Sequence, residues 1–223
     1  MAQVFHPSMN TFAKVTIFGA VFILAALGFL ADRIERSPYV TEVDVVRDQP
    51  VPFSHEHHVS GLGIDCRYCH TSVEKSAFAG LPATEICMSC HSQIWKDSPM
   101  LEPVRESYRT GMPLRWTRVH DLPDFVYFNH SIHIAKGVGC ESCHGRVDRM
   151  PLMRRAASLE MAWCIDCHEH PQSAIRPLDQ VFHFGAEARA APDDGSPRSG
   201  TLELMQAHGV KTGQLLDCWT CHR

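Results

Sequence analysis

The sequence predicts a mainly α-helical and irregular fold with one N-terminal transmembrane helix and no sheet. Three observations predict it. No segment of the 223 residues alternates apolar and polar side chains convincingly. Val15 to Ala31 carries no charge. All ten cysteines fall in Cys-x-x-Cys pairs, and each pair is followed directly by histidine. With 44% apolar and 21% charged residues, the chain is neither disordered nor a polytopic membrane protein. Its length allows one or two small domains. A net charge of −4 gives no support to a nucleic-acid partner.

The N-terminal element comes first. Counting back over Lys14, which can snorkel, Phe12 to Ala31 is long enough to cross a hydrocarbon core. A cleaved signal peptide competes with this reading, and Ala26-Leu27-Gly28 would pass as its cleavage site. The apolar run is longer than a usual signal core, so residues 1–36 are expected to form an uncleaved signal-anchor helix. A linker, 37–52, punctuated by Pro38, Pro50 and Pro52, leads to the remaining domain, 53–223.

The five motifs are Cys66-Arg-Tyr-Cys69-His70, Cys87-Met-Ser-Cys90-His91, Cys140-Glu-Ser-Cys143-His144, Cys164-Ile-Asp-Cys167-His168 and Cys218-Trp-Thr-Cys221-His222. This spacing reads as covalent attachment of haem c. Two thiols form thioethers to the porphyrin, and the adjacent imidazole becomes the proximal iron ligand. A disulfide framework would not need histidine after every second cysteine. Zinc needs four ligands per site and rarely repeats this spacing. Thioredoxin-like motifs sit beside a βαβ pattern, which is absent. Five covalent haems are expected. From Pro38 onward only about 37 residues serve each haem, so the porphyrins must form the core. Their propionates and ferric centres would take the net charge to about −9. Lys and Arg side chains are then expected as propionate partners.

The orientation of the anchor follows from the haems. Lys14 precedes the helix while Arg33 and Arg36 follow it, which by charge count alone would leave the bulk in the cytoplasm. Haem c is attached on the outer side of energy-conserving membranes, and that overrules the count. The expected location is the bacterial cytoplasmic membrane, with the haem domain on its periplasmic side.

A repeat organises the domain. Phe53-Ser-His55-Glu-His57-His58 leads to Cys66, and Phe128-Asn-His130-Ser-Ile-His133 leads to Cys140. A second motif follows each first one, giving dihaem modules 53–91 and 128–168 and a tail, 169–223, with the fifth haem. Helices are expected over Arg155–Trp163, over Thr201–His208 with Gly209 as its stop, and for one turn at each motif. Ala190–Gly200 reads as a loop.

Histidines at i and i+3 share one helix face, so each pair can serve two irons. His55, His58, His130 and His133 are therefore the expected distal ligands. His120 is the choice for the fifth site, with His208 and Met161 as competitors. His57 is expected to contact solvent or a propionate, and Met88 to be filler. Trp163 and Trp219 are expected to pack on porphyrin faces.

Phe-x-His-x-x-His followed by Cys-x-x-Cys-His resembles the small bis-histidine multihaem cytochromes. The whole layout resembles the pentahaem subunit of alternative complex III, a bacterial quinol:electron-acceptor oxidoreductase. The matching segments are the Met-Ala-Gln start with its anchor helix, Val119-His-Asp-Leu-Pro-Asp-Phe-Val-Tyr-Phe-Asn-His130, Met161-Ala-Trp-Cys164 and Cys218-Trp-Thr-Cys-His-Arg223. Residues 169–217 match poorly. The resemblance implies that iron–sulfur and quinol-binding membrane subunits are partners. It implies that electrons pass on to a monohaem cytochrome c or another acceptor, and that this chain has no catalytic residues of its own.

Two other functions compete. By resemblance to the self-sufficient single-anchor multihaem quinol dehydrogenases, the first haem would lie near the membrane and touch quinol directly. Here residues 32–65 separate the helix from Cys66, which argues against it. A multihaem nitrite reductase needs an open iron and, by resemblance, a lysine as proximal ligand at the active haem. All five motifs here end in histidine.

Overall fold

The computed structural model describes residues 4–185 and 200–222. Most of the expected Ala190–Gly200 loop lies outside them. The chain divides into two compact units, Met1–Val43 and Asp44–Arg223.

The first unit is dominated by α1 (Ser8–Glu35), with the short α2 (Pro38–Thr41) after it. At 1.5 Å per residue, α1 spans about 42 Å, more than a bilayer's hydrocarbon thickness. It buries none of its own residues. Arg36 closes its last turn, with Nε 2.8 Å from Asp32 Oδ1. Pro38 starts α2 because proline's missing N–H is not needed there. Glu42, in the left-handed region with φ 55°, ends it.

The second unit is helical and irregular. Its only β pairings among the described residues are two isolated bridges, Val46 with Arg154 and Val138 with Ile175. Each cysteine motif occupies a helix: α3 (Cys66–Cys69), α4 (Thr84–His91), α7 (Cys140–His144), α8 (Met161–Glu169) and α10 (Cys218–Cys221). Between them lie a π-helical turn (Glu56–Gly61), α5 (Glu102–Thr110), α6 (His130–Ala135) and α9 (Thr201–Ala207). Gly209 at φ +60° follows α9, as expected of a stop.

The helix expected over Arg155–Trp163 does not form. Its first half is claimed by tertiary pairing: Asp44 donates its N–H to the Arg155 carbonyl at 2.8 Å, and Arg154 bridges to Val46. Leu159 at φ 58° breaks any continuation, so α8 starts only at Met161.

Side chains supply little core. Val51, Leu101 and Val104 form one buried cluster, against which Cys87, Met88, Leu114 and Trp116 pack. Val73, Met150, Ile175 and Val181 are buried elsewhere. The two expected modules interlock through backbone. In one direction Glu56 N–H donates to the Met150 carbonyl, and the Ser60 hydroxyl to the Asp148 carbonyl. In the other, His130 and Ser131 N–H groups donate to the carbonyls of Ala77 and Ser76. Each Phe-x-His-x-x-His turn thus docks on the loop behind the other module's first motif.

Candidate haem sites

Within each motif the helical turn brings both cysteines to one face, because i and i+3 are neighbours on a helix. Asp65 caps α3, accepting the Arg67 N–H at 2.8 Å, and this fixes where the first motif turns. No disulfide joins any of the ten cysteines.

The motif histidines share one arrangement. Nδ1 of His70 lies 2.7 Å from the Gly80 carbonyl, and that of His91 lies 3.0 Å from Ile94. His168 uses the Leu215 carbonyl at 2.9 Å, and His222 uses Phe125 at 3.0 Å. A backbone carbonyl can only accept, so the proton of each ring belongs on Nδ1. Nε2 is then left as a lone-pair donor for a metal. His144 is the exception, with Nδ1 3.3 Å from Nε2 of His120.

The Phe-x-His-x-x-His turns repeat in detail. Phe53 stacks on His58 at 4.4 Å and meets His55 edge-on at 4.9 Å. Phe128 stacks on His133 at 4.5 Å and meets His130 edge-on at 4.8 Å. Nδ1 of His58 faces the Ser54 carbonyl, and Nδ1 of His133 faces that of Asn129, four residues back in both copies. Asn129 also caps α6 by accepting the Ser131 N–H. His130 Nδ1 reaches the Ala77 carbonyl at 2.8 Å, whereas His55 Nδ1 is buried without a partner.

These turns set their own histidines against motif histidines. Ring centroids are 6.2 Å apart for His58 and His91, 6.3 Å for His130 and His144, and 6.3 Å for His133 and His168. His55 is an electrostatic neighbour of His70. Two imidazoles bound through Nε2 on opposite sides of one iron, with bonds of about 2 Å, have centroids roughly 6 Å apart. The histidines present therefore fit haem c with two axial imidazoles. Among the described residues, no group of three or more His, Cys, Asp or Glu is placed to hold a metal ion by itself.

Burial keeps several of these imidazoles neutral. Burial, reinforced by neighbouring histidines, lowers His144 to about 3 and His55 to about 4. His120 falls to about 4 through burial and the nearby Arg155 guanidinium. Burial also pushes the Cys143 thiol up to about 12. The thiols form a chain of neighbours. Cys87 is an electrostatic neighbour of Cys69, and Cys66 of Cys140. Cys143 adjoins both Cys164 and Cys167, and Cys164 adjoins Cys221.

Other expected contributors are placed as follows. His120 lies against His144, with ring centroids 4.3 Å apart. His208 Nδ1 faces the Lys136 carbonyl at 3.2 Å, while Met161 is exposed. His57 is exposed, Trp163 half-buried and Trp219 exposed. Met88 packs in the Val51 cluster. Sequence reasoning missed the carbonyls of Gly80, Ile94, Leu215, Phe125 and Ala77, since a backbone acceptor leaves no residue-type signature. It also missed the Phe53 and Phe128 ring stacks, although the repeat itself carried that signal.

Five Cys-x-x-Cys-His helices, consistent with five covalent haems, on a helical chain with no sheet among the described residues define a multihaem cytochrome c, an electron-transfer protein. Residues 126–223 match the family model of cytochrome c7 and related cytochrome c, a segment that includes the last three motifs. A curated relative is the menaquinone reductase, multihaem cytochrome c subunit, of Nitratidesulfovibrio vulgaris (strain Hildenborough). It is 37% identical over 99 residues, covering 44% of this chain and 46% of the relative. The match thus spans about half the length of that relative.

Proposed function

We propose that the chain is the electron-relay subunit of a membrane quinol:acceptor oxidoreductase of the alternative complex III kind. The observation that carries the relay is the set of opposed rings, His58 with His91, His130 with His144 and His133 with His168. With His55 an electrostatic neighbour of His70, four irons would be held by histidines of the chain on both sides, leaving no place for a substrate. When bound, haem c supplies a one-electron iron centre. The chain's residues would hold it: ten cysteines anchor it, motif and distal histidines orient it, and backbone carbonyls fix the tautomers of His70, His91, His168 and His222.

The electrostatic proximity of the thiols supports a single-file order of motifs, from 87–91 through 66–70, 140–144 and 164–168 to 218–222. The long apolar helix, Ser8–Glu35, supports a membrane anchor. The sequence resemblance supports iron–sulfur and quinol-binding partner subunits, and a monohaem cytochrome c or similar acceptor. The relative's printed name, a menaquinone reductase subunit, favours a second reading in which electrons run toward the quinone.

Reconstitution in liposomes tests both. The purified chain alone should be neither reduced by a menaquinol analogue nor oxidised by the quinone. Adding the iron–sulfur and quinol-binding subunits should restore one direction. Rapid reduction by quinol without partners would replace this reading with a self-sufficient quinol dehydrogenase.

A further inference from the structure

Four of the five motif histidines give Nδ1 to a backbone carbonyl. The fifth, His144, gives it to a side chain, and that side chain is another imidazole. We propose that His120 is the positioning residue of the His144 site, accepting the Nδ1 proton of His144 on Nε2 and thereby setting the electron donation of that ligand. The inference rests on His144 being an iron ligand through Nε2.

The geometry separates two kinds of neighbour around His144. His130 lies 6.3 Å away with its ring nearly parallel, at 9°, which suits a ligand across an iron. His120 lies at 4.3 Å with its ring turned by 69°, and its Nε2 is 3.3 Å from Nδ1 of His144. An imidazole this close, on the Nδ1 side, belongs beside the ligand rather than beyond the iron. His120 is itself held by its surroundings. Arg155 donates through Nε and Nη2 to the Val119 carbonyl, at 3.2 and 3.1 Å. That guanidinium clamps the backbone next to His120 and disfavours a second cation there.

A carbonyl acceptor and an imidazole acceptor are not equivalent. The ring nitrogen is the more basic, so it draws the Nδ1 proton further from His144 and makes Nε2 a stronger donor to iron. One haem of five, at the centre of the proposed single file, would then differ from the rest through a single side chain. Nothing about the Cys140 motif itself announces this. His120 stands 24 positions upstream of His144 and outside the repeat.

The test uses the full-length holoprotein with His120→Leu and His120→Asn. Electron paramagnetic resonance should show all haems still low-spin in both variants. In His120→Leu the g values of one haem should move and its midpoint potential should rise, with the others unchanged. His120→Asn, whose amide oxygen can accept the same proton, should restore both readouts toward wild type. A high-spin haem that binds carbon monoxide in His120→Leu would make His120 an axial ligand and overturn the proposal. So would spectra and potentials that do not move in either variant. His144→Ala, prepared in parallel, should convert one haem to high spin. If it does not, the ligand reading itself fails, an outcome distinct from failure at His120.

Discussion

Phe128 stacks on His133 with centroids 4.5 Å apart and planes 26° apart, and it meets His130 edge-on. One aromatic ring thus contacts two imidazoles of the same turn, one face-on and one edge-on. His133 then faces His168 and His130 faces His144, so the ring fixes histidines of two separate sites. Phe53 does the same for His55 and His58.

Replacing that ring should therefore be felt at two haems together. Phe128→Ala should cost about 2 kcal/mol, less than a full core deletion because the ring is only half-buried. Denaturant unfolding followed at the Soret band measures the loss. Low-spin signals of two haems should broaden, and a change confined to one would contradict the shared role.

The two histidines of the first turn should be separable. His55→Ala and His58→Ala should each produce one high-spin haem, and the two haems should differ, because His55 neighbours His70 while His58 opposes His91. Spectra that match in the two variants would mean that both rings serve one iron.

Covalent attachment has its own check. Intact mass after acid denaturation and organic extraction should retain five haems per chain, one for each cysteine pair. A shortfall would identify a motif that does not take the group.

Asp148 is buried, and hydrogen bonds from Arg146 hold its carboxyl below the usual 3.8. A carboxyl with a depressed folded value contributes stability above its unfolded pKa and loses it as pH falls through the folded one. Asp148→Asn should cost about 1–3 kcal/mol at pH 7. The gap between wild type and variant should close as pH falls below about 4. A gap that persists undiminished at the acid end would show that charge is not what Asp148 contributes. Unfolding curves across pH supply the measurement.

Gly145, directly after His144, has φ +66° and ψ −160°, a conformation nearly reserved for glycine. An added Cβ would also come within 2.6 Å of the Ala156 Cβ. Gly145→Ala should therefore lose about 1–3 kcal/mol from backbone strain alone, and the clash adds to it. Thermal unfolding reads the loss, and an unchanged midpoint would refute it.

What the sequence disclosed follows the reach of its signals. The motifs and the Phe-x-His-x-x-His repeat are local and carry fixed spacing, so motif helices at Cys66, Cys87, Cys140, Cys164 and Cys218 could be read directly. The helix expected over Arg155–Trp163 failed because Asp44 and Val46, more than a hundred positions away, take that backbone first. The place of His120 was hidden for a related reason. Spacing proposes which histidines share a face, but only tertiary structure decides that Arg155 clamps Val119 and turns His120 to His144.

The meagre set of buried apolar side chains, Val51, Val73, Leu101, Val104, Met150, Ile175 and Val181 among the described residues, bears on biogenesis. So few interior contacts cannot offset the entropy of ordering a chain this irregular. Before its prosthetic groups are attached, the polypeptide should therefore be poorly folded and open to proteolysis rather than a dormant precursor. Maturation becomes a race in which each ligation event removes one stretch of chain from the reach of degradation.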